Sequence, residues 1–217
     1  MNRTITVKGV GKAAVKPNLI ELNMDLNARR EEYQHTMNAA AKQLRELQAA
    51  LKDISFEQKD LKTLSFSVDT VYDEQVDKQG RSTRVFAGYV CSHQLRLAFG
   101  YDIKRLGEAL AALARCPAPP EFSIRFTLSD ADTVGAQLLK NAAENAKAKA
   151  LVLAEAAGVK LGTLLSIDYS WAEIDVYSPT RYERNYLMAA RSMESMEIEP
   201  EDIKASDTVT FVWAIGE

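Results

Sequence analysis

Asn141-Ala-Ala-Glu-Asn-Ala-Lys-Ala-Lys-Ala-Leu-Val-Leu-Ala-Glu-Ala-Ala-Gly158-Val-Lys-Leu-Gly162 is the stretch that decides how this chain folds. Leu139, Ala143, Ala146, Ala150, Leu153 and Ala157 recur at spacings of four and three. That period places them on one apolar seam of a helix. The seam is mostly alanine, so the helix axis can lie close to whatever it covers. Gly158 suits the left-handed position past a helix end and stops the helix there.

The sheet is legible on both sides of it. Ile5 and Val7 alternate with Thr4 and Thr6 as a short strand. Ile20, Leu22, Met24, Leu26 and Ala28 alternate with polar residues as a long one, with Pro17 at its start. Leu64, Phe66, Val68, Thr70 and Tyr72 alternate again. After a turn at Asp77–Gly80, so do Val85, Ala87, Tyr89, Cys91, His93, Leu95, Leu97 and Phe99. These two runs predict a long antiparallel hairpin with a bulge at Gly88. Phe122, Ile124, Phe126 and Leu128 form a further strand, as do Leu165, Ile167, Tyr169 and Trp171. Val209, Phe211, Trp213 and Ile215 form the last.

Two more helices are expected. Tyr33, Met37, Ala40, Leu44, Leu47 and Leu51 mark one over 31–53. Ile103, Leu106, Leu110 and Leu113 mark another over 102–115, capped by Asp102 and ended by Cys116-Pro-Ala-Pro-Pro120. Ser129-Asp-Ala-Asp132 has the form of a capping box at the start of the alanine-rich helix. The fold class is therefore α+β: long antiparallel strands in a twisted sheet, with about three helices packed against it. The 217 residues suit one unit, with a division into subdomains of about 1–100 and 101–217 as the alternative.

Composition excludes several functions. Net charge is −3, and no Lys/Arg run supplies the basic surface that nucleic acid requires. No segment reaches the ~20 apolar residues of a membrane helix. The first residues carry no apolar stretch of signal-peptide length. The protein is thus expected in the cytoplasm if the chain is full length, and exported if a signal peptide was removed. Cys91 and Cys116 are too few for a disulfide scaffold and too far apart in sequence for a metal site.

The chemistry-bearing residues assemble no site. Gly9-Val-Gly11-Lys12 lacks the glycine spacing and the Ser/Thr of a phosphate loop, and reads as a tight turn or bulge between strands. His35 and His93 have no Cys, His or Glu at ligand spacing. Ser92 and His93 are neighbours on a strand and point to opposite faces, so they cannot pair. No catalytic residue, cofactor or metal ligand is assigned. The segment 177–199 has no clean period and is expected to be an irregular or flexible loop. Its Tyr177, Arg181, Tyr182, Arg184 and Tyr186, with Met188, Met193 and Met196, have an interface-like composition and are the candidate interface.

The order of motifs resembles the SIMPL family, once called domain of unknown function 541. Ile5-Thr-Val-Lys-Gly9-Val-Gly11 and Val15-Lys-Pro17-Asn18 resemble its opening, with Asn18 where an acid is usual. Asp60-Leu-Lys-Thr63 with Leu64-Ser-Phe-Ser-Val68, then Gly88-Tyr89, are similar to its middle. Ala142 to Gly162 resembles its signature helix, and Ile198-Glu-Pro200-Glu-Asp-Ile203 its entry to the last strand, with Glu201 where glycine is common. The resemblance implies an α+β unit and carries no family catalytic residue. Bacterial members include exported antigens that build large ring-like oligomers and proteins linked to oxidative-stress tolerance; a mammalian member associates with a kinase in inflammatory signalling. A non-enzymatic, self-associating scaffold or stress-related binding module is the function expected. Its partners would be further copies of itself or an unidentified protein. A small-molecule binder using a helix–sheet cleft is the alternative, and an undetected hydrolase a third.

Overall fold

The computed structural model describes residues 3–76, 80, 82–170, 176–180, 182–183 and 199–216. It is α+β. The chain divides into two compact units, each discontinuous in sequence, and residue 100 lies inside the second. The first unit takes 1–18, 127–179 and 200–217; the second takes 19–126 and 180–199. The strands are shared between two sheets.

In the first unit, β1 (Thr4–Val15), β6 (Lys160–Asp168) and β8 (Ile203–Gly216) form a sheet in the order β1-β8-β6. Both pairings are antiparallel. One helix, α3 (Ala131–Ala156), covers it. Asp130 caps this helix, so the cap lies one residue later than the Ser129 box suggests. Its carboxylate accepts from the Thr133 N–H at 3.1 Å and from the Thr133 hydroxyl at 2.5 Å. These bonds hold the Asp130 pKa below the usual carboxylate value. At the other end Gly158 has φ +69°. Its N–H donates to Glu155 O and that of Val159 to Ala154 O, each at 3.0 Å, the paired bonds of a Schellman motif.

The buried face of α3 differs in phase from the expected seam. Val134, Leu138, Ala142, Ala146, Ala150 and Ala154 are buried, whereas Leu153 and Ala157 are exposed. The spacing is four throughout. Its cause lies in β1. Gly9 and Gly11 are not in a turn; they stand inside a continuous twelve-residue strand, facing α3. A Cβ on Gly9 would sit 2.0 Å from the Ala142 carbonyl oxygen, and one on Gly11 1.9 Å from that of Leu138. The helix backbone therefore rests on the strand backbone, and only the row that meets the glycines can be the seam.

The second unit is built on a five-stranded sheet in the order β3-β4-β2-β5-β7. These are β2 (Leu19–Arg30), β3 (Leu61–Val76), β4 (Ser82–Gly100), β5 (Glu121–Thr127) and β7 (Tyr182–Glu183). Helices α1 (Tyr33–Lys52) and α2 (Ile103–Arg115) bury their apolar stripes against one face of it. Leu47 and Leu51 from α1 meet Ile20, Leu22, Leu95 and Leu97 from the sheet, and Leu106 and Leu113 from α2. Asp102 caps α2 by accepting from the Arg105 N–H at 3.0 Å.

β3 and β4 pair antiparallel, with register shifts between Thr63 and Ser65 and, where expected, between Val71 and Tyr72. Gly88 there has φ +114°, and a Cβ would meet the Arg30 carbonyl oxygen at 2.3 Å. Beyond this bulge the hairpin runs past its helical cover, and Val85 and Phe86 are exposed. The turn residues 77–79 and Trp171 lie outside the described residues.

The α3 contact is testable by size. Ala146→Leu or Ala150→Leu should cost about 1–3 kcal/mol, because neither position has room for added methylenes. The exposed Ala148→Leu should stay within about 0.5 kcal/mol of the wild type. Urea midpoints of the three variants check this; equal midpoints would mean that the helix does not press on the sheet.

Candidate functional site

In the first unit the two outer strands of the sheet are treated differently. The outer edge of β1 is covered by α3 over Lys8–Lys12. Asn141 Nδ2 donates to the Lys12 carbonyl at 2.9 Å. Asn145 Oδ1 accepts from the Val10 N–H at 3.0 Å. Lys149 Nζ donates to the Lys8 carbonyl at 3.2 Å. The helical residues are four apart and the strand residues two apart, so one polar row tracks one backbone edge. A covering helix is a recognised guard against edge-to-edge pairing.

The opposite edge, β6, has no such guard among the described residues. Leu164, Leu165 and Ile167 are 46%, 50% and 57% exposed. Register shifts between Leu161 and Leu164, and between Leu164 and Ser166, place Leu161, Leu164 and Ile167 opposite Ile215, Trp213 and Phe211. Phe211 and Trp213 belong to the core beneath α3, so these three β6 side chains share the helix-covered side.

The second unit presents a different surface. Aromatic rings run from Tyr33 at the start of α1 along the distal hairpin: Tyr33 to Tyr89 at 5.6 Å, Tyr89 to Phe86 at 5.3 Å and Phe86 to Tyr72 at 5.9 Å between centroids. Arg84 lies over the Tyr72 ring at 5.2 Å. Such edge-on contacts hold exposed rings in place without a core beneath them. Beside them is an open groove of about 880 Å³, lined by Arg29, Arg30, Glu32, His35, Asp73 and Phe86, among others. Arg29 pairs with Asp73 at 3.1 Å, and His35 Nδ1 lies 3.4 Å from a Glu32 carboxylate oxygen. A smaller hollow of about 290 Å³ lies between the C-terminal ends of α1 and α2, with Cys116 in its lining. Cys116 Sγ donates to the Ala118 carbonyl, and burial pushes its thiol pKa up. Cys91 is likewise buried, free and raised in pKa by burial.

His93 is buried on the helix-covered side of β4. Its Nε2 lies 2.9 Å from Thr63 Oγ1, and its ring meets Phe66 edge-on at 5.2 Å. Ser92 bonds instead to Asn27, on the other face. His93 therefore supports the β3–β4 pairing, and no serine or cysteine is its hydrogen-bond partner among the described residues. Among those residues no group of three His, Cys, Asp or Glu side chains could hold a metal, and no helix is long and apolar enough to cross a membrane.

The expected interface residues are only partly placed. Tyr177 is 40% exposed. Next to it Ser178 is buried and donates to the Glu201 carbonyl at 2.7 Å. The backbone of Tyr182 pairs with Ile124 on β5. Arg181, Arg184, Tyr186, Met188, Met193 and Met196 lie outside the described residues, as does the side chain of Tyr182. Sequence reasoning missed the exposed leucines of β6. The adjacent Leu164-Leu165, which breaks strict alternation, was the available signal.

Residues 5–213 match the profile of SIMPL, described as a protein of unknown function (DUF541). The chain belongs to the SIMPL family. It is also similar to the 26 kDa periplasmic immunogenic proteins of Brucella melitensis biotype 1 and Brucella abortus strain S19. Each is 25% identical over 163 residues, which is 75% of this chain and 65% of the relative. The match thus spans less than two thirds of the relatives' length.

His93 gives a pH prediction. Burial holds its pKa below the ordinary 6.5. The unfolded chain then takes up a proton first as pH falls, so the contribution of neutral His93 is full above the unfolded value. It is lost as pH drops through 6.5 toward the folded value. Stability should therefore fall as pH drops below about 6.5, and His93→Gln should flatten part of that fall. Identical slopes in urea titrations of the two proteins would refute the assignment.

Proposed function

We propose that this SIMPL-family chain is a non-enzymatic, self-associating module that serves as a scaffold or stress-related binding unit. The observation that carries the proposal is the exposed apolar edge of β6, beside a β1 edge that α3 has closed. Large apolar side chains along a strand edge that no helix covers among the described residues are a template for pairing with another chain. The exposed rings of the distal hairpin add a second contact surface. The stress-related part rests on the family resemblance alone. The periplasmic Brucella relatives favour the exported alternative, in which the chain works in the periplasm.

A small-molecule reading has the open groove at Arg29–Glu32 and Asp73 in its favour. That groove is lined by several charged side chains, with Arg29 and Asp73 already paired to each other. A ligand cleft is usually apolar with a few convergent polar groups. A hydrolase reading has only the Thr63–His93 contact, which sits at a strand pairing without a carboxylate bonded to the imidazole among the described residues.

Sedimentation at low micromolar concentration tests the proposal. A species of two or more chains is expected, and a monomer throughout that range would overturn it. Deleting 180–196 should lower the native mass while leaving the far-UV spectrum nearly unchanged. Unchanged assembly would remove that segment from the interface and leave the strand edges as the contact.

A further inference from the structure

We infer that the partner at β6 is the β6 of a second copy, running antiparallel about a two-fold axis at Leu164; this rests on the self-associating reading above. The strand Lys160-Leu-Gly-Thr-Leu164-Leu-Ser-Ile-Asp168 is self-complementary about its centre. Leu161 and Ile167 are each three residues from Leu164, and all three lie on the helix-covered side. A two-fold axis there sets Leu164 against its own copy and Leu161 against the second copy's Ile167. It also sets Lys160 against the second copy's Asp168 at both ends, a pairing of opposite charges across strands. The exposed apolar strip would then continue the core beneath α3 from one copy into the next, and two three-stranded sheets would become one of six.

Head-to-tail growth is blocked by the same structure. A chain adding through β6 onto β1 of a neighbour would meet Asn141, Asn145 and Lys149 on the Lys12, Val10 and Lys8 backbone. An isologous contact is what remains for this sheet, and it closes on itself.

Cysteine cross-linking reads the register. Cys91 and Cys116 are buried and unpaired, so the wild type gives the background. Residues directly opposite each other on paired strands hold their Cβ atoms about 4.5–5.5 Å apart. Leu164→Cys should therefore form a covalent dimer under mild oxidation, and Thr6→Cys on β1 should not. Asp168→Lys should weaken association by about tenfold, since it sets lysines against lysines twice per dimer. The double variant Lys160→Asp with Asp168→Lys should restore it. Far-UV spectra establish that each variant is folded. A monomeric wild type would overturn this inference together with the proposed function. An assembled wild type in which Leu164→Cys stays uncoupled and Asp168→Lys has no effect would overturn the β6 pairing alone.

Discussion

The first unit depends on one close approach, that of the α3 backbone to β1. It exists because Gly9 and Gly11 have no side chain and because the facing helical row is Leu138, Ala142, Ala146 and Ala150. A Cβ at either glycine would overlap a helix carbonyl oxygen. The consequence is electrostatic as well as steric. Only a helix this close can set Asn141, Asn145 and Lys149 within hydrogen-bond reach of the strand edge. Glycines that resemble a phosphate loop in sequence are thus part of how a sheet edge is closed.

The second unit solves the same packing problem with bulk. Leu47, Leu51, Leu106, Leu110 and Leu113 from two helices fill the space above Leu22, Met24, Leu95 and Leu97. A core of large interdigitating side chains tolerates ordinary helix–sheet spacing. It also ends where the helices end. The bulge at Gly88 marks that limit, since Cys91, His93, Leu95, Leu97 and Phe99 are buried beyond it while Val85 and Phe86 on the distal side are exposed. The distal rings then rest on one another.

Which features the sequence disclosed follows from how many physical constraints act on each residue. Alternation in β2 and β4 was legible because one face is wet and the other dry. Although Tyr33 at the head of the α1 stripe is exposed, its Ala40, Leu47 and Leu51 part, the Asp102 cap and the Gly158 stop were legible because each depends on local chemistry. The seam of α3 was not. That helix is apolar on several sides, with Leu151, Val152 and Leu153 all exposed, so periodicity alone cannot choose the phase. The choice is made by glycines some 130 residues away in the chain. The edge of β6 was hard to read for a related reason. Leu164-Leu165 signals a break in alternation, but Leu164, Leu165 and Ile167 have the composition of a buried strand, and the strand order is what puts them at a border. The tyrosine, arginine and methionine segment was singled out by composition, which says nothing of position.

The exposure of β6 has a geometric cause. A helix with its side chains is about 10–12 Å across, and neighbouring strands lie about 4.7–4.9 Å apart. One helix therefore covers about two strands. In the first unit α3 is displaced toward the β1 edge, packing most on β1, less on β8 and least on β6. The glycines fix that displacement, because they let the helix sink only where they are. The third strand is then the least covered of the three while keeping apolar side chains on the roofed side. Closing one edge and exposing the other are the same event, set by two missing methyl groups on β1.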